Sequence, residues 1–521
     1  MNNFNNDKQR NAVTKKLKYG SLSMGFAVLV VVLCIAVNLA ASLLSAQWSL
    51  RVDITDDEAR FYTISDGTKK LFEEYFSETP DWHITIRFLA KEEKVSDNMV
   101  LELARSYQST FDGHIDLEFM DINTNIDKWE QYCELTQIEL TSYHVLVEGK
   151  YHTRAISFAN FYYTDSESGE TVAFAGEKAY TAAMIKSGIK ENPVAVFTAG
   201  HGESLDNGKY PLASYVGLSS EQLSQANKLS LFDTLNDMGF EVQVLDLNES
   251  ELPESTRLVF ISDPQRDFMD YDPDKPDVVS ELEMLKNAMD NYNVTLMVSV
   301  DDETPELENL SRYLSLDYGL IYHSNVSVTD NDNSLKGSGG KELLGAVAAK
   351  NSGSLGAQIV KGFGVDERFV FNNAVKLSLS TDMSVQGEDM IVSTYSTAEA
   401  EGKKDVYPLV AYTLQANAIE DDKGTDTENK EYKTAYLFGS TEFLSSEYLN
   451  SRFSNRALLE SILRKANTVQ EYVAINEVDF IDEGLDITTG EARGWTVAVT
   501  LVAPAAVFAV ALVVWTRRRH A

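Results

Sequence analysis

Two stretches without a charged side chain stand near opposite ends of the chain and constrain everything between them. Met24 to Ala46, "MGFAVLVVVLCIAVNLAASLLSA", runs for 23 residues, and Trp495 to Trp515, "WTVAVTLVAPAAVFAVALVVW", for 21. A helix of about 20 apolar residues covers the roughly 30 Å of hydrocarbon in a bilayer. Residues 22–46 and 495–516 therefore read as two transmembrane helices, the second with Trp at both edges, where indole favours the membrane interface. The alternative for the first run is a cleaved signal peptide. Its length exceeds a signal's apolar core, and Leu44 is bulky at the third position before a cut after Ala46.

Orientation follows from the flanking cations. Lys8, Arg10, Lys15, Lys16 and Lys18 precede the first run, and Arg517, Arg518 and Arg519 follow the second. Positive flanks stay on the cytoplasmic side, so residues 1–21 and 517–521 are expected in the cytoplasm and the region between the spans outside a bacterial cell membrane. The chain holds 45 basic and 80 acidic residues, a formal net charge of −35. Such a field repels nucleic acid and anionic head groups, which excludes nucleic-acid binding as an expectation; an acidic, soluble outer surface accounts for it. Of two cysteines, Cys34 lies in the first apolar run, which leaves Cys133 with no partner for a disulfide outside the membrane.

Between the spans the pattern is alternation of strand and helix. "HITIRFLA", "VLELARSYQSTF", "IDLEFMDIN" and "IDKWEQYCEL" read as strand, helix, strand, helix, followed by a hairpin in "HVLVEGKYHTRAISF" turning at Glu148, Gly149 and Lys150. Residues 47–175 are thus expected to form a small membrane-proximal α/β domain. From Gly176, apolar runs such as "VAVFTAG", "RLVFISD" and "VTLMVSVD" alternate with amphipathic helices, the signature of a largely parallel sheet covered on both faces. The expected fold class is α/β, with a doubly wound domain over 176–480 and a linker over 481–494. Its Gly-, Ser- and Asn-rich segment 330–364 is expected to be a mobile loop.

Three motifs bear on chemistry. A P-loop needs G-x-x-x-x-G-K-[ST], whereas "GSGGKE" has Leu335 where the first glycine belongs and Glu342 after Lys341, so no nucleotide cofactor is expected. "TAGHGES", at the end of a buried strand, puts His201, Glu203 and Ser204 where α/β folds commonly bind ligands. No G-x-S-x-G accompanies them, and no second histidine is near enough to complete a zinc pair. "DYDPDKPDVVSE" sets Asp270, Asp272, Asp274 and Glu281 at the spacing of calcium-loop oxygens, with Lys275 where such a loop needs glycine. These four are the candidate metal ligands.

"RVDITDDEARFYTISDGTKKLFEEY", just outside the first run, resembles the "D-x-T-x-x-x-x-Y-T-L-S-x-x-T-K-x-L-L" segment of GldG-like proteins, auxiliary components of an ABC-type transport system first associated with gliding motility. Asp53, Thr55, Phe61, Tyr62, Thr63, Ser65, Thr68, Lys69, Lys70 and Leu71 carry the match. "VFTAGHGES" is similar to that family's G-H-G-E strand end, and "LMVSVDDETPELENLSRYLSLDYGL" to its long helix after an acidic turn. "YLFGSTEFLSSEYLNSRFSNRALLESIL" resembles its late "G-D-x-x-F-x-x-N" region, with Ser440 for the usual Asp. The resemblance implies an amidotransferase-like fold and a non-ATPase accessory subunit, working beside an ABC permease and a separate ATPase and binding an exported substrate or cell-envelope component. A membrane-anchored hydrolase using His201 and Glu203, or a surface adhesion protein, is the competing expectation.

Overall fold

The structure is a computed structural model that describes residues 61–164, 171–226, 229–271, 273–274, 280–291, 294–349, 354–364, 367–380, 388–416, 432–450, 452–466, 475 and 478–480. Both apolar runs, at 22–46 and 495–516, lie outside the described residues, as does the Arg51 to Arg60 part of the segment matched at Arg51 to Tyr75. Among the described residues, no helix is long and apolar enough to cross a membrane. The chain divides into two compact units, Met1–Phe61 and Tyr62–Ala521. The second is a mixed α/β unit.

Ser65 starts the first helix, α1 (Asp66–Glu78), as its N-cap, its side chain accepting from Thr68 N. Strand β1 (Ile84–Phe88) follows, then helix α2 (Asn98–Thr110), capped by Asp97, strand β2 (Ile115–Phe119) and helix α3 (Ile126–Thr136). Strands β3 (His144–Glu148) and β4 (Thr153–Ser157) pair antiparallel and close a four-stranded sheet of order β2-β1-β3-β4. Only the β1–β2 pair is parallel, its two strands joined through the crossover helix α2. An aromatic cluster of Phe72, Phe76, Trp82, Tyr107 and Phe111 packs α1 and α2 together.

Helix α4 (Gly176–Gly188) serves both halves of the unit. Its end docks on the small sheet: Ser187 O accepts from Tyr151 N and His152 N, and a Cβ at Gly188 would lie 1.9 Å from the Trp82 ring. Lys186 meanwhile reaches the other way and donates to Phe240 O at 3.0 Å. This double duty explains why ten of its residues are buried and no polar stripe is left.

The large sheet has nine strands. Its parallel half runs β6 (Glu241–Asp246), β5 (Val194–Ala199), β7 (Thr256–Ser262), β8 (Thr295–Ser299) and β13 (Tyr432–Phe438). An antiparallel half continues it through β12 (Pro408–Ala416), β11 (Glu388–Ser393), β9 (Leu343–Val347) and β10 (Phe369–Phe371). Strand alternation explains the two-sided core. Ala195, Phe197 and Ala199 join a cluster with helices α5 (Ser230–Asp237) and α8 (Asn455–Ala466), while Val194 and Val196 join another with α6 (Glu281–Asn291) and α7 (Glu308–Tyr318). Each buried Leu or Phe there contributes about 1.5–3 kcal/mol.

The Gly- and Ser-rich segment 330–364, expected as a mobile loop, instead supplies a strand and a short helix in its described part. β9 alternates buried and half-buried residues from Leu343 to Ala346 and ends at the exposed Val347, and a Cβ at Gly345 would lie 2.5 Å from Val392, so glycine here permits close strand packing. Both sheet edges are closed by side chains. Asn455 accepts from Val370 N at 2.8 Å and donates to Val370 O at 2.9 Å on β10, and Ser220 accepts from Val242 N on β6.

Candidate functional site

The parallel strands deliver their carboxyl ends to one edge, and the "TAGHGES" turn lies there. Gly200 leaves β5 at φ +112°, with the Asp246 carboxylate 3.0 Å from where a Cβ would be, and Gly202 follows at φ +83°. These two backbone conformations swing His201 inward between them. Its carbonyl accepts from Gln265 N and Arg266 N, both at 2.8 Å, and its ring stacks on Phe268 with centroids 3.9 Å apart.

His201 is 5% exposed, and both ring nitrogens meet carboxylates: Nδ1 lies 3.2 Å from Glu203 Oε1 and Nε2 lies 3.0 Å from Glu281 Oε2. Glu203 also takes the His201 amide at 2.6 Å, and Glu281 takes Met269 N at 2.8 Å. Burial by itself would lower the imidazole pKa, but the bonds and charges of the two glutamates outweigh it and raise it to about 9. At neutral pH the ring is an imidazolium with both N–H groups donating, so neither nitrogen retains a lone pair for proton abstraction or metal ligation.

Ser204 does not face this ring. Its hydroxyl donates to Asp263 Oδ2 at 2.7 Å, and Asp263 itself sits at φ +52° directly after β7. Burial pushes the Asp263 carboxyl up to about 6; the bond from Ser204 opposes this, and the charge of Asp301 adds to it. Asp301, after β8, accepts from Glu303 N and Thr304 N through one oxygen and from Thr441 Oγ1, at 2.7 Å, through the other. Ser440, where the resembled motif has Asp, donates to Asn372 O at 2.6 Å.

The candidate calcium ligands separate. Asp270 is drawn to Arg312 at 2.6 Å, which helps hold its carboxyl below the usual range, and Asp274 is exposed. Glu281 belongs to the His201 triad, and Asp272 lies outside the described residues. Among the described residues no group of three or more His, Cys, Asp or Glu has the arrangement to hold a metal. Cys133 is a free, half-buried thiol on α3, its sulfur accepting from Leu140 N at 3.5 Å.

Two expected sites thus contribute to one arrangement, His201 with Glu281, which sequence spacing had assigned to different chemistry. Asp246, Asp263 and Asp301 were missed altogether. Their signal was present, since "EVQVLD", "RLVFISD" and "VTLMVSVD" each run an apolar strand into an aspartate.

No family model matches this chain, and no curated protein matches it. Among solved structures it is similar to the mmIFT52 N-terminal domain, at 15% identity and a TM-score of 0.34, over 54% of this chain and 100% of that one.

Proposed function

We propose that this protein is a non-ATPase, membrane-anchored auxiliary subunit of an ABC-type transporter, with a two-pass topology, both termini cytoplasmic and a large extracytoplasmic domain. One observation carries the reading: the first and last described parts of the chain dock on one short segment. Ser65 N donates to Glu177 Oε1 at 2.8 Å, while Phe480 N donates to Val172 O at 2.9 Å, and Val478–Asp479 pairs with Ala173 and Phe174. The Phe480 ring stacks on Tyr162 beside them. The chain thus enters and leaves the described body at one place, which supports reading the two apolar runs of the sequence as a paired membrane anchor.

The finer reading of the fold, a doubly wound, amidotransferase-like domain between two spans, is part of the same proposal and is supported by the two-sided core. The binding role is favoured over hydrolysis by the His201 triad, whose carboxylates occupy both positions a general base would need. The domain is read as a receptor for an exported substrate or cell-envelope component, and the ATPase and permease as separate chains. Purification from native membranes in mild detergent tests this: an ABC permease and ATPase are expected to co-purify in fixed ratio, and their absence under conditions that keep the protein intact removes the proposal.

A further inference from the structure

Between the small sheet and helices α4 and α5 lies a cavity of about 100 Å³. One wall is Ala179, Ala182 and Ala183 of α4, whose methyl groups leave the space open, and Tyr162 and Tyr163 form another. The cations that line it are largely committed, with Arg154 Nε the one buried N–H on them that has no partner among the described residues. Arg154 donates to Glu221 Oε1 at 2.7 Å and pairs with Glu241, while Lys186 donates to Asn236 and to Phe240 O.

The anions are not used up. Tyr163 and Arg456 both donate to Asp237 Oδ2, and Lys178 lies nearest the same oxygen, so Asp237 Oδ1 has no donor among the described residues. Glu221 likewise spends only Oε1, on Arg154, and Oε2 has none. Both carboxylates line the cavity, and each side chain is 17% exposed, reachable but largely desolvated. In such surroundings a charge-assisted hydrogen bond is at its strongest.

We infer that this cavity is a binding site for the protonated primary amine of a small organic molecule. An arriving anion would find one unpaired donor, the buried Arg154 Nε, beside the carboxylates of Glu221, Asp233 and Asp237, whereas an ammonium brings three N–H groups to carboxylate oxygens that lack them. The alanine wall suits a short alkyl stem, and the chain's net charge of −35 raises the local concentration of cations. Burial also raises the Asp237 pKa against the pull of Lys178 and Arg456, so a further cation beside it is favourable.

Calorimetric titration of the full chain in detergent with ethylammonium chloride tests this. Saturable binding at about millimolar strength is expected, as for any ligand of three heavy atoms, with none for tetramethylammonium, which has the charge but no N–H. Ala159→Trp, at an exposed lining position, is expected to abolish uptake without moving the melting temperature, and Glu221→Gln to weaken it about tenfold. No saturable heat in the wild type, equal uptake of tetramethylammonium, or binding unchanged in Ala159→Trp would each overturn the assignment. Amine uptake by the isolated chain and co-purification of transporter subunits are independent readouts, so either proposal can fail alone.

Discussion

Glu281 lies eighty positions beyond His201 in sequence, yet its Oε2 sits 3.0 Å from His201 Nε2, with Glu203 on the opposite nitrogen. The strand-end turn is thereby fastened to the first residue of α6, across the edge where ligands bind in many α/β folds. The folded pKa of about 9 stands above the ordinary 6.5, so the stabilisation is complete below pH 6.5 and is lost as pH rises through 9. A shift of that size corresponds to about 3 kcal/mol. The melting temperature should therefore fall between pH 6.5 and 9.5 in the wild type and respond less in Glu281→Gln, which also lowers the His201 pKa read by NMR of the ring protons. An unchanged ring titration in that variant would contradict the triad.

How much of this was readable beforehand depends on range. Strands such as "VAVFTAG" and helices such as "PELENLSRYLSLDYG", which ends with Gly319 at φ 67°, are written in local periodicity and caps, which is why the α/β class was legible. The turn around His201 was legible as a turn. Its partner Glu281 was not, because that pairing depends on how α6 docks beneath β5, and nothing local records it. The strand within 330–364 was illegible for a related reason: Gly345 is small to admit Val392 and Phe371, a tertiary demand that composition presents as a loop.

Asp263 offers a case where a charge weakens the fold. Burial and Asp301 raise its carboxyl to about 6 from an ordinary 3.8, so the native state holds a proton there more tightly than the unfolded chain does. Stability should then decline as pH rises from 3.8 to 6 on this account, and ionised Asp263 is a net cost above that. Asp263→Asn keeps an acceptor for Ser204, tolerates φ +52° and presents its N–H to Gln265, whose exposed amide turns its oxygen inward to accept, and it should stabilise the protein at pH 7 by about 1 kcal/mol. Thermal melting at pH 5 and pH 8 checks it, since the gain should be larger at the higher pH.

Gly200 is the backbone's contribution to the same edge. At φ +112° with Asp246 oxygens 3.0 Å from any added Cβ, Gly200→Ala meets conformational strain and a steric contact together. A loss of about 2 kcal/mol is expected. Gly208→Ala, also at positive φ but with open space around it, should lose less, and a comparison of their denaturant midpoints separates the two effects.

The last prediction concerns how the large sheet ends. Asn455 is fully buried, and its amide meets both the N–H and the C=O of Val370, standing in for the neighbour strand that β10 lacks; it also donates to Phe443 O. Asn455→Ala leaves a backbone N–H and two carbonyls unpaired in an apolar setting, at a cost of about 1–3 kcal/mol for each group that water cannot reach. It also frees "FVF", an apolar edge strand of the kind that templates pairing between chains. Asn455→Asp retains an acceptor for Val370 N and loses the donor, so it should fall between wild type and Ala in melting temperature. Light scattering on holding each variant a few degrees below its own melting point should rise fastest for Ala. Equal aggregation rates at matched stability would show that edge closure by Asn455 matters only through folding energy and not through blocking strand addition.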